Sequence, residues 1–120
     1  MSGLYNVLFG QSEHAPALLL ALGIEADAVP RYRDCYINKE KHIVIYTRVG
    51  GGNRDDYEEE IKFLRSLPGF LFDEDDSFDN TYALFHYEVP EKYQQVLSVI
   101  EPEEDPKDKM QALLQKLRER

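Results

Sequence analysis

Apolar and polar residues follow two rhythms along this chain, and the rhythms mark out its elements. Around position 40 the rhythm is alternation. Cys35-Tyr36-Ile37 and the stretch from His42 to Val49 flank a polar tetrapeptide, Asn38-Lys39-Glu40-Lys41, which predicts a β-hairpin with a four-residue loop. In its second strand Ile43, Ile45, Thr47 and Val49 share one face, and His42, Val44, Tyr46 and Arg48 share the other. Thr81 to Val89 repeats the pattern as a third strand, with Ala83, Phe85, Tyr87 and Val89 opposed to Tyr82, Leu84, His86 and Glu88.

Elsewhere the spacing is helical. Ser2 can cap a short helix carrying Leu4, Val7 and Leu8, which Gly10 ends. Pro16 suits the first turn of a second helix with Leu18, Leu19 and Leu22 on its apolar face and Gly23 at its close. The stretch from Asp27 to Pro30 reads as a connector. Tyr57, Ile61 and Leu64 form a stripe in a helix expected near 54–66, ended by Pro68-Gly69. Pro90 opens another helix, with Tyr93, Val96, Leu97 and Ile100 on one side. Met110, Leu113, Leu114 and Leu117 give the last helix an apolar stripe that needs a cover.

The expected fold is α+β: a small antiparallel three-stranded sheet with helices packed mainly on one face, plus a C-terminal helix. Residues 1–100 would form one domain, 101–106 an acidic linker, and 107–120 the helix, which is expected to make a homodimer contact, with docking on its own chain as the alternative. The second face of the sheet would carry Tyr46, Arg48, Tyr82 and His86. Such a face is covered by the terminal helices, paired in a dimer, or used for binding.

Charge narrows the function. Over 120 residues the formal net charge is −9, which argues against direct nucleic-acid binding because that needs a basic face. It leaves room for the reverse, an acidic protein that occupies a partner's nucleic-acid groove. One cysteine, Cys35, excludes an intramolecular disulfide and cysteine-based zinc clusters, and its apolar neighbours mark it as a buried thiol. No run approaches the roughly 18–20 apolar residues of a membrane span. The expected setting is cytoplasmic, away from membranes.

The stretch with the most chemistry is Thr47-Arg48-Val49-Gly50-Gly51-Gly52-Asn53-Arg54, between a strand and a helix. Glycines free the backbone to turn its N–H groups toward an anion, and the following helix adds its positive dipole end. The candidate ligand-binding set is Arg48, Gly50, Gly51, Gly52, Asn53, Arg54, Tyr57, Tyr82 and His86. An ordinary tight turn accounts for the glycines equally well, and Arg54 can instead pair with Asp75, Asp76 or Asp79. The acidic run from Asp73 to Asp79 offers oxygen ligands for a hard cation. It fails the EF-hand pattern, with no glycine at the sixth position and Leu84 where a bidentate Glu belongs, so a solvated loop is preferred and no metal is expected. The glycines fail the Walker pattern, since no Lys-Ser/Thr follows them. The three histidines, His14, His42 and His86, show no ligand spacing. No nucleophile motif occurs, so the expected class is a non-enzymatic binding protein without a cofactor.

Several of these segments resemble a family of small bacteriophage and prophage proteins. They are Tyr46-Thr47-Arg48, Gly50-Gly51-Gly52-Asn53-Arg54, Tyr57, Leu67-Pro68, Asp75-Asp76, Phe78-Asp79 and Thr81-Tyr82-Ala83. Family members often carry His-Pro where this chain has Leu67-Pro68. The resemblance implies an acidic accessory protein acting in the host cytoplasm, a class that commonly counters bacterial defence. Two mechanisms fit. One is sequestration of a nucleotide second messenger, with the arginines taking phosphate and a tyrosine stacking on the base. The other is blockade of a host defence protein by acidic surface.

Overall fold

The strands Asp34–Ile37 (β1) and His42–Arg48 (β2) form the expected hairpin, in a computed structural model that describes residues 12–25, 32–50, 57–76 and 81–119. Asn38 organises its turn. The Asn38 carbonyl accepts the Lys41 N–H, and its side-chain Oδ1 accepts the N–H groups of Glu40 and His42, each at 3.1 Å. Closing so tight a loop forces Lys41 into the left-handed region, φ 66°.

The sheet has four strands, not three. Its order is β1-β2-β4-β3, all antiparallel, with Phe70–Asp75 (β3) and Tyr82–Glu88 (β4) added to the hairpin. The strand that the hydrophobic pattern concealed is β3. It lies at an edge, so Asp73 and Asp75 tolerate half-exposed or exposed places, and an irregularity between Phe70 and Phe72 interrupts its alternation. Three of the acids expected in a loop, Asp73 to Asp75, are therefore strand residues.

Helices Ala15–Ala21 (α1) and Glu58–Ser66 (α2) pack on one side of the sheet. Leu18, Leu19 and Leu22 from the first and Ile61 and Leu64 from the second meet Ile43, Ile45, Phe85 and Tyr87, the positions that alternation assigned to one face. Burying each such aliphatic side chain stabilises the fold by about 1.5–3 kcal/mol. The Tyr87 hydroxyl donates to the Leu64 carbonyl at 2.6 Å, which fixes α2 over β4. Three glutamates, Glu58 to Glu60, fill the first turn of α2, where negative charge complements the helix dipole. The element after Pro90 is a 3-10 helix, Glu91–Ser98, laying Tyr93 and Leu97 against the same core. The C-terminal helix is Pro106–Arg118 (α3). The stretch 101–105 runs along the outer edge of β1: the Glu103 N–H donates to the Ile37 carbonyl at 2.8 Å. The helix expected at 2–10, the connector 27–30 and the start of the helix at 54–56 lie outside the described residues.

Gly69 makes the turn from α2 into β3 with φ +81°, and a Cβ there would stand 2.9 Å from the Glu88 carbonyl oxygen. Gly69→Ala should therefore destabilise the protein by about 1–3 kcal/mol, since both the dihedral and the backbone contact oppose a side chain. Lys41→Gly should do the opposite, gaining up to about 1 kcal/mol by removing left-handed strain. Urea unfolding of both variants checks the pair.

Candidate functional site

The face of the sheet turned away from α1 and α2 buries a polar aromatic layer. Tyr36, Val44, Tyr46, Leu84 and His86 are all 4% exposed or less. Buried hydroxyls and imidazoles need partners, and here each finds a carboxylate. Tyr36 donates to Asp105 Oδ1 at 2.7 Å, Tyr46 donates to Asp76 Oδ2 at 2.5 Å, and His86 Nε2 meets Glu74 Oε2 at 2.7 Å. Burial and the neighbouring Asp105 push the Tyr36 hydroxyl far above the ordinary phenol range, so it stays a donor.

At one corner of this layer β2 runs toward the glycines. Arg48 and Tyr82 are cross-strand partners, Tyr82 stacks on Tyr46 with centroids 5.2 Å apart, and Arg48 Nε donates to the Gly50 carbonyl at 3.0 Å. Arg48 is exposed and Tyr82 half-buried, so a guanidinium and an aromatic ring reach the surface side by side. Tyr57 stands just before α2 and packs against the core on the helix side. Gly51, Gly52, Asn53 and Arg54 lie outside the described residues, as do Phe78 and Asp79, so the Arg54 pairing with Asp79 falls there too.

His86 belongs to a different group. It is four residues from Tyr82 along β4, about 13 Å at strand rise, and both its ring nitrogens are engaged. Besides Glu74 at Nε2, its Nδ1 lies 3.2 Å from His42 Nδ1, and Phe72 stacks on its ring at 4.2 Å. Donor accounting fixes the neutral tautomers. Glu74 accepts the His86 Nε2–H, His86 Nδ1 is then an acceptor, and His42 must supply an Nδ1–H. The half-buried His42 is left with an acceptor nitrogen at Nε2. Phe72 and Glu74 reach His86 only through β3. Their i, i+2 spacing was the available signal, since it puts both side chains on one strand face.

The acids of β3 and its end are committed within the fold. Asp73 takes a bidentate contact from Arg65 at 3.0 and 3.1 Å, alongside the Glu74 and Asp76 contacts above. Among the described residues no group of three or more His, Cys, Asp or Glu side chains could hold a metal ion. Cys35 is buried, and that burial raises its thiol well above the ordinary range, so it offers no thiolate nucleophile.

A second polar cluster ties the start of the described chain to its end. Ser12 N–H donates to Asp34 Oδ1 at 2.7 Å, and the Ser12 hydroxyl lies 3.2 Å from Asp34 Oδ2 and 2.5 Å from Glu103 Oε2. One hydroxyl proton cannot serve two carboxylates. Desolvation of Asp34, reinforced by Glu103, raises its carboxyl above the ordinary value despite the backbone N–H groups that oppose the shift. The Ser12 hydroxyl therefore donates to one carboxylate at a time, and the two acids crowd each other's charge.

Two variants test this layer. Glu74→Ala should cost about 1–3 kcal/mol, because it orphans the buried His86 Nε2–H; nitrogen NMR above pH 8 should also report His86 protonated at Nε2 and His42 at Nδ1. Asp34 has a raised folded pKa, so its contribution is greatest at low pH and is lost as pH rises through that value. Asp34→Asn keeps an oxygen to accept the Ser12 and Cys35 N–H groups and removes the charge. It should raise the melting temperature at pH 7, with the gain shrinking toward pH 4.

The chain is similar to an uncharacterized protein, L792, of Acanthamoeba polyphaga mimivirus, 47% identical over 64 residues. That stretch covers 52% of this chain and 28% of the mimivirus protein. No protein family and no solved structure matches. No described helix is long and apolar enough to cross a membrane.

Proposed function

We propose that this protein is a non-enzymatic viral accessory protein that sequesters a nucleotide-type ligand, such as a second messenger of host defence, in the host cytoplasm. The observation that carries this reading is the corner formed by Arg48, Gly50, Tyr46 and Tyr82. A guanidinium binds phosphate through charge-assisted hydrogen bonds, and a tyrosine pair offers a stacking platform for a base. The backbone at Gly50 leads straight into the two further glycines. The similarity to a mimivirus protein supports the viral setting.

One observation favours a second mechanism, blockade of a host defence protein. Residues 1–106 hold nine Lys and Arg against 21 Asp and Glu, a net of −12, and Glu58, Glu59, Glu88, Glu91 and Glu101 are exposed. Such a body would occupy a basic, nucleic-acid-binding groove through complementary charge.

Calorimetry with a panel of cyclic and linear nucleotides separates the two. Arg48→Ala should weaken nucleotide binding about ten-fold or more and lower the melting temperature only slightly, because the side chain is exposed and gives up one hydrogen bond, to the Gly50 carbonyl. No heat with any nucleotide overturns sequestration. Salt-sensitive competition with DNA for a defence protein, weakened by Glu58→Gln with Glu59→Gln, would then carry the second mechanism.

A further inference from the structure

The C-terminal helix differs in charge from the body that bears it. Residues 107–120 hold five Lys and Arg against two Asp and Glu, a net of +3, beside the −12 of residues 1–106. At 100° per residue, Met110, Leu113, Leu114 and Leu117 form one stripe of α3. Lys109 and Lys116 border that stripe on one side and Arg118 on the other, while Asp108 falls on the back. The helix is anchored at its start, where Asp105 and Pro106 are buried and Asp105 accepts the Tyr36 hydroxyl. Cover then falls away: Met110 and Leu113 are half-buried, Leu114 is 37% exposed and Leu117 54%.

The outward face of α2 is the complement. Phe63 is 42% exposed, with the exposed Glu59, ion-paired to Lys62 at 3.9 Å, on one side of it on the helix surface and the half-buried Glu60 on the other. An apolar stripe rimmed by cations thus meets an exposed aromatic side chain on a helix whose first turn is acidic. The two helices share no extensive packing within the described chain.

We propose that α3 of one copy docks on the outward face of α2 of a second copy, reciprocally, giving a two-fold homodimer. A reciprocal exchange is self-complementary and closes after two chains. It doubles the contact of a helix that spans only about 20 Å. Charge selects this occupant over a bilayer: an anionic lipid surface would attract α3 but repel the acidic body, whereas a second copy supplies the opposite charge where α3 needs it. The inference is independent of what binds at the Arg48 corner.

Light scattering on the full chain tests it. The wild type should have twice the chain mass at low ionic strength and dissociate more readily as salt is raised. Leu114→Glu with Leu117→Glu, and separately Phe63→Glu, should each weaken dimerisation ten-fold or more. All three positions are exposed, and circular dichroism should be unchanged. A monomeric wild type overturns the proposal, as does a dimer indifferent to the α3 variant. A dimer lost with the α3 variant but kept with Phe63→Glu removes α2 as the acceptor and overturns the pairing. A wild type that stays monomeric yet binds anionic vesicles assigns the helix to lipid and overturns it too.

Discussion

The seven-residue pairing of β2 with β4 sets the terms for the rest of the molecule. Both strands are interior, so side chains on both faces of the pair must leave water. On one side this is simple: Ile43, Ile45, Phe85 and Tyr87 meet the leucines of two helices. On the other side the same backbone presents Tyr46 and His86, which can be buried only if their polar tips are satisfied. Glu74 and Asp76 meet that need from β3 and its end, and Asp105 does the same for Tyr36 on β1. Part of the chain's acidity is therefore architectural.

That division bears on function. Carboxylates bound to tyrosine and histidine are spent inside the fold, and the imidazole of His86 is spent with them. What the corner at Arg48 and Tyr82 retains is different: a guanidinium on the surface, a ring already stacked at 28° on a second ring, and a glycine at its foot. A rigid stacking surface costs little entropy to present, because Tyr46 is fixed by its own hydrogen bond before anything arrives.

The sequence disclosed the parts of the fold governed by simple periodicity. The hairpin, the strand from Tyr82 and both faces of each were legible because alternation over Ile43 to Val49 and Ala83 to Val89 is nearly unbroken. The strand Phe70–Asp75 was not, since an edge strand buries little and needs no strict pattern, and a register irregularity removes what pattern there was. The same omission hid the setting of His86. Its face was legible, but its partners Phe72 and Glu74 arrive on the strand that was missed. For the candidate ligand set, alternation placed Arg48 and Tyr82 correctly on one face. The spacing of four residues between Tyr82 and His86 already sets them about 13 Å apart along the strand, a separation that grouping by face alone ignores.

The segment along β1 has a consequence for how this sheet can grow. Glu103 gives its N–H to Ile37, and the chain lying there occupies the outer side of the first strand. Open sheets lengthen into fibres when each added molecule brings one edge to be joined and another to receive the next. Here the molecule's own backbone caps one end of one margin, at Ile37 and Asn38. A second chain adding at that end of the margin would have to displace this bridge, so growth by edge pairing is obstructed there.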